Sequence, residues 1–398
     1  MKKLNMNRLG IGLFCTLLIG GGSLTLCTGA KEIAKATVSG AKAGYTGGGI
    51  SGLLTGTISG IENGVASNLF AKNQFINLYG LTASTFGNTF IRDADTAYNI
   101  VKDNNGDLQF IANERDDSKA AEAIVSLNET LGAKDIPLLY VQAPLKYTEG
   151  FTEFPAAITD YSNSNTDKFK GLLEAGGVDV LDLRDAVEED HLDKSSLFYN
   201  TDHHWRTETA FWAVGKTVET LKEGYGIDLD PEGTYTSMSS YRQRFFEQSF
   251  LGSQGRRVGK YFGGIDDFTL ITPNFETNYT VTINKSDGSR VREGSFEEAI
   301  IDKSLLEEKD VFTNRYASYF GADYPEVVIQ NHSADNDYKV LVVKDSYALP
   351  YTAFLSTMVG EVCMLDLRYY SDMSIEQYVE THDIDAVLYV YKSINTVK

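Results

Sequence analysis

Lys339-Val340-Leu341-Val342-Val343-Lys344-Asp345-Ser346-Tyr347 is an apolar run that closes on polar residues. Its centre lacks the apolar–polar alternation of a half-buried strand, so it reads as a strand buried on both faces, as in a parallel sheet. The polar end opens a turn, and Phe354 and Leu355 belong to the helix that follows. Strand, tight turn and helix are the repeating unit of α/β folds, which expose reacting groups at the carboxyl ends of their strands. Ser346 stands at that point. At a helix entrance its backbone N–H and that of its neighbour lack intrahelical partners and can bind an oxyanion. The plainer reading of Ser346 is a helix N-cap.

Other segments repeat the pattern. Short apolar runs at residues 136–141, 178–183, 361–367 and 386–391 read as strands. Residues 117–131 are helical by the spacing of Ala121, Ile124, Val125 and Leu127, and residues 167–175 form another helix. Phe211, Val214, Val218 and Leu221 mark a third, with Thr207 as its N-cap and Glu208 in its first turn. The expected fold is a mostly parallel sheet covered on both faces. Residues 230–330 differ: Tyr279-Thr280-Val281-Thr282-Ile283 alternates, Asp287-Gly288 is a turn signal, and no long apolar helix is present. They read as an inserted, partly antiparallel segment on the α/β core.

A serine hydroxyl needs a base. The run Tyr199-Asn200-Thr201-Asp202-His203-His204-Trp205 holds two of the five histidines and one of the two tryptophans, so rare polar chemistry concentrates there. Side chains two apart share a face of an extended segment, which pairs Asp202 with His204 and turns His203 away. A carboxylate so placed fixes the imidazole tautomer and supports a general base. The same residue types are metal ligands, but no His-Xaa-His or His-Glu-Xaa-Xaa-His pattern accompanies them and His191, His332 and His382 are scattered. Neither metal nor cofactor is expected. A structural Asp–His pair capping the following helix is the competing reading.

Composition narrows the function further. A formal charge of -19 is the wrong sign for neutralising phosphates, which excludes a nucleic-acid surface. Lys2, Lys3 and Arg8 precede an uncharged, mainly apolar run to Ala30, which reads as an export signal cleaved after a small residue or as a retained anchor. Cys27 follows Leu24-Thr25-Leu26, and the bulk of Leu26 argues against a lipidation site. Residues 31–60, rich in Gly, Ala, Ser and Thr around Gly47-Gly48-Gly49, read as a flexible stalk. No Lys-Ser/Thr follows the glycines, so a phosphate-binding loop is not supported. The folded domain is expected over residues 61–398, where Cys363, in an apparent strand, reads as a core residue.

Asp202-His203-His204-Trp205 with Lys344-Asp345-Ser346-Tyr347 downstream resembles the DHHW family, which is similar to the SGNH-hydrolase-like proteins of alginate O-acetylation. The resemblance covers residues from about 60 to 398 and includes Phe250-Leu251-Gly252-Ser253 and Leu365-Asp366-Leu367-Arg368-Tyr369-Tyr370. It implies an SGNH-like three-layer α/β/α core, a triad of Ser346, His204 and Asp202, and acetyl transfer or cleavage on an exported polysaccharide. A membrane-bound acyl-transfer partner is implied in the same way. Two departures matter. Lys344 stands where SGNH enzymes carry Gly, and no Gly-Xaa-Asn-Asp block supplies a side-chain oxyanion donor. Arg368 and Asn395 are candidates for that donor, while Gln142, Lys146 and Tyr199 are candidates to line a sugar cleft. Transferase, esterase of the same triad, and non-catalytic glycan-binding protein are the functional alternatives.

Overall fold

A computed structural model describes residues 6–93, 96–285 and 288–393. The chain divides into two units, residues 1–78 and 79–398.

In the first unit the helical span Met6–Ser67 is interrupted at Gly48 and at Gly49, whose φ is 60°. The two arms pack backbone to backbone. A Cβ on Gly44 would lie 2.0 Å from the carbonyl oxygen of Gly52, and one on Gly40 would lie 2.3 Å from that of Gly56. The stretch expected as a flexible stalk is therefore helical. Composition alone fits coil; glycines four apart share one helix face, and the absent side chains let two helices touch. From residue 19 onward no described helix is long and apolar enough to cross a membrane.

The second unit holds β1 (Phe90–Ile91), β2 (Ile100–Lys102) and β3 (Leu108–Phe110) in a small antiparallel sheet. It continues with β4 (Leu138–Gln142), β5 (Asp179–Asp182), β6 (Tyr241–Phe250), β7 (Asp266–Pro273), β8 (Tyr279–Lys285), β9 (Gly288–Gly294), β10 (Glu326–Asn331), β11 (Lys339–Lys344), β12 (Glu361–Leu365) and β13 (Ala386–Tyr391). The main sheet has the order β5-β4-β13-β11-β12-β10-β8-β9. It is parallel from β5 to β12 and antiparallel beyond. The segment read as an insertion thus divides: β6 and β7 pair separately, and β8 to β10 extend the main sheet. Of the expected turn, Asp287 lies outside the described residues.

The β11 strand shows why the sheet is covered on both faces. Val340 and Val342 join one core with Phe211 and Val214 of the helix Thr207–Tyr225 and Tyr351 and Phe354 of the helix Ala348–Leu355. Leu341 and Val343 join a second core with Ile124 and Leu127 of the helix Ser118–Gly132 and Tyr378 and Val379 of the helix Ile375–His382. All four β11 residues are at most 1% exposed. Each buried Val or Leu contributes roughly 1.5–3 kcal/mol, so the strand is held from both sides. The SGNH-like three-layer α/β/α reading holds. Cys363 lies buried in the second core.

The connections place the functional end of the sheet. From β11 the chain passes through Ala348–Leu355 to β12, then through Ile375–His382 to β13 on the other side of β11. The two helices sit on opposite faces, which makes the carboxyl end of β11 a topological switch point, the place where open α/β sheets bind their ligands. One detail differs from expectation: Arg206 is the cap of the helix Thr207–Tyr225, and Thr207 is its first residue, with Oγ1 donating to the Thr269 carbonyl at 2.6 Å. A tertiary acceptor on β7 takes the hydroxyl that a local cap would have used.

Candidate active site

Ser346 lies in the turn between β11 and the helix Ala348–Leu355. Asp345 holds that turn: its carboxylate accepts the backbone N–H of Tyr347 at 2.9 Å and that of Lys392, just past β13, at 3.0 Å. Burial pushes the Asp345 carboxyl up, against these hydrogen bonds. The Tyr347 N–H, expected to be free, is occupied. The Ser346 N–H has no partner among the described residues and stays available to an oxyanion.

His204 Nε2 lies 2.8 Å from Ser346 Oγ, and His204 Nδ1 lies 2.6 Å from Asp202 Oδ1. Hydroxyl, imidazole and carboxylate form one continuous relay. Asp202 is fully buried and His204 is 6% exposed. Burial alone would raise the Asp202 carboxyl, but the adjoining His204 and the hydrogen bonds it donates hold it well below the usual carboxylate range. A buried, ionised carboxylate on Nδ1 leaves Nε2 facing the hydroxyl, which suits proton abstraction from Ser346.

The loop carrying Asp202 is fixed from four directions. Asp266 on β7 accepts the N–H groups of Asn200 and Thr201 at 2.7 and 2.8 Å. Lys146 Nζ donates to the carbonyls of Leu108, Asn200 and Asp202 at 2.6, 3.0 and 2.8 Å. Gly252 donates its N–H to Thr201 Oγ1, and Ser253 donates its N–H to Asp202 Oδ2 at 2.7 Å. Tyr347 donates its hydroxyl to the His203 carbonyl.

His203 does not point away. Residues 202–204 bend rather than run extended, so strand alternation does not apply. The rings of His203 and His204 lie 3.8 Å apart, and His203 Nδ1 is 2.6 Å from Ser253 Oγ and 3.3 Å from Asp202 Oδ1. Asp202, His203 and His204 bring ligand-capable atoms within 4.8 Å of one another. Both nitrogens of His204 are already engaged by Asp202 and Ser346.

Several candidates take other places. Lys146 is 8% exposed and braces the loop instead of lining a cleft. Gln142 is 2% exposed and donates to the Ala143 and Lys392 carbonyls, tying the ends of β4 and β13. The Tyr199 ring is buried between Phe250 and Phe268. Arg368 donates through Nε and Nη2 to Asp366 and pairs with Asp323. Asn395 lies outside the described residues. For Lys146, Gln142 and Tyr199 a nearby backbone carbonyl or aromatic cluster claims the side chain.

Lys344, the departure from the SGNH pattern, has a structural account. It is fully buried and pairs with the buried Asp366 at 3.1 Å and with Asp323. The run from Leu365 to Tyr370 thus supplies the counter-charge beneath the Ser346 turn. Two further contacts left no sequence signal. Tyr316 stacks on His204 at 4.0 Å with planes 13° apart and donates its hydroxyl to the Tyr347 carbonyl at 2.8 Å. Trp205 Nε1 donates to the same carbonyl at 3.0 Å.

Residues 105–248 match the family model described as the SGNH hydrolase-like domain of acetyltransferase AlgX. No curated protein matches the chain. In fold it is similar to Bacillus cereus PatB1, at 25% identity and a TM-score of 0.61 over 73% of this chain and 95% of that one. A second PatB1 structure, with a sulfonyl adduct, gives 23% identity and a TM-score of 0.62 over 77% and 96%. A DHHW family protein from Eubacterium siraeum gives 18% identity and a TM-score of 0.55 over 76% and 92%. Residues 105–248 are thus SGNH hydrolase-like by sequence, similar to that domain of AlgX, and the chain is similar in fold to PatB1 and to a DHHW family protein.

Proposed function

We propose that this protein is an exported O-acetyltransferase that modifies an extracellular or cell-surface polysaccharide through an acetyl-Ser346 intermediate. The observation that carries the reading is the 2.8 Å separation of Ser346 Oγ and His204 Nε2, with Asp202 on the far nitrogen at 2.6 Å. The AlgX match and the PatB1 fold support acyl transfer as the reaction class.

In the first half-reaction Ser346 Oγ attacks the acetyl carbonyl while His204 Nε2 takes its proton. The oxyanion forms against the Ser346 N–H, the leaving group departs with the proton held by His204, and acetyl-Ser346 remains. In the second half a sugar hydroxyl gives its proton to His204 and attacks the acyl carbon. The Oγ–acyl bond breaks and Ser346 regains the proton. Water in place of the sugar makes the same residues an esterase. A membrane-bound acyl donor or partner fits the N-terminal export segment, which also suits a membrane tether.

Incubating the full chain with a chromogenic acetyl ester tests the reading. Turnover that disappears in Ser346→Ala, with an acetyl-sized mass increase on Ser346 of the wild type, is the expected result. Unchanged turnover in a folded Ser346→Ala protein points instead to a non-catalytic glycan-binding role.

A further inference from the structure

His203 is left over by the relay, yet it stands beside it. Its ring lies 3.8 Å from that of His204, and its side chain is 31% exposed where that of His204 is 8% exposed. Nδ1 faces inward, 2.6 Å from Ser253 Oγ and 3.3 Å from Asp202 Oδ1. A lone pair aimed at an ionised carboxylate is repelled, so the proton belongs on Nδ1, where it faces both oxygens. Nε2 is then a hydrogen-bond acceptor, and it has no protein partner among the described residues. Burial of most of the ring favours the neutral form of His203, its pKa well below that of an ordinary histidine. Phe110, at 5.8 Å between ring centroids, closes one side and adds an apolar wall.

Once Ser346 is acylated, His204 Nε2 loses its serine partner and is free to receive a proton. Two neighbouring imidazoles, with ring centroids 3.8 Å apart, then each carry an acceptor nitrogen. We propose that His203 is a positioning residue for the acyl acceptor, and that this acceptor is a sugar with two hydroxyls on adjacent carbons. The attacking hydroxyl donates to His204 and its neighbour donates to His203 Nε2. The ring spacing is of the same order as the spacing of such hydroxyls. The neighbouring hydroxyl also fixes the sugar's orientation, which is how an acceptor competes with water for the acyl group. This inference rests on the acyl-transfer reading and adds to it the acceptor's hydroxyl pattern.

Binding separates the two ideas. Methyl hexopyranosides of the gluco, manno and galacto series, each paired with its 3-deoxy analogue (which has no adjacent hydroxyls), are titrated by NMR into the full-length Ser346→Ala protein. At least one parent sugar is expected to bind about tenfold more tightly than its deoxy partner, the size of one good hydrogen bond. His203→Phe, which keeps an aromatic ring against His204, is expected to erase that preference, and His203→Gln to restore part of it through its amide oxygen. Thermal melts of each variant confirm folding. In turnover with an acetyl ester as donor, the same preference is expected in acceptor KM rather than in kcat. No preference in any pair, or a preference that survives His203→Phe, overturns the inference. Absence of Ser346-dependent turnover in the wild type sinks the acyl-transfer reading instead, whatever the titrations show.

Discussion

Ser253 donates its backbone N–H to Oδ2 of Asp202 at 2.7 Å, while the other oxygen of that carboxylate faces His204. The Phe250-Leu251-Gly252-Ser253 run therefore acts on the site through main chain, by orienting the acid that orients the base. A charge-assisted bond of this kind is stronger than a neutral one and holds the carboxylate plane against rotation.

Gly252 follows from that contact. A Cβ there would lie 2.2 Å from Asp202 Cβ and 2.5 Å from its Oδ2. Gly252→Ala must push the loop off the carboxylate. It is expected to cost roughly 1–3 kcal/mol of stability and to lower acetyl-ester turnover further than a melt-matched surface variant. Denaturant titration with a turnover assay checks both.

Asp202→Asn keeps the shape and removes the charge that selects the His204 tautomer. Turnover is expected to fall by about 10²- to 10⁴-fold, with little change in KM. A loss confined to KM would contradict the relay.

The same residue sets a pH dependence of stability. Its folded-state pKa is depressed, so its contribution is fully present above the unfolded pKa of about 3.9 and is lost as pH falls toward the folded value. Asp345, pushed up by burial, works in the opposite sense. The measurement is therefore the difference between proteins: Tm against pH from about 5 to 2 is expected to fall more gently in Asp202→Asn than in the wild type.

Lys344→Met removes one cation from a fully buried pair with Asp366. Leaving a buried carboxylate short of its partner costs about 3–5 kcal/mol, tempered here because Arg368 also holds Asp366. Unfolding midpoints in urea report the loss, and Lys344→Met/Asp366→Leu is expected to recover part of it.

Tyr316 has two separable functions. Tyr316→Phe keeps the stack on His204 and loses the hydroxyl that donates to the Tyr347 carbonyl; Tyr316→Ala loses both. Trp205 still serves that carbonyl in either variant. Turnover is expected to stay within about threefold for Phe, as befits loss of one hydrogen bond, and to fall well beyond that for Ala.

Much of this architecture could be read from the chain because it rests on local chemistry. Uninterrupted apolar runs such as residues 340–343 bury on both faces wherever they go, and the sheet and its covering helices follow from that. Asp202, His204 and Ser346 stand out because few residue types carry nucleophile–base chemistry. What local chemistry cannot supply is the company a side chain keeps. A bend at residues 202–204 defeats strand alternation and stacks His203 on His204. Lys146, Gln142 and Arg368 look available until distant carbonyls and carboxylates claim them. In residues 31–60 the composition describes a linker, yet contact between two glycine faces makes a helical pair. Hydrophobic burial is a property each residue carries with it, whereas a polar side chain's role depends on partners brought close only by the folded chain, and that is why the core was determined by sequence and the surroundings of the site by tertiary structure.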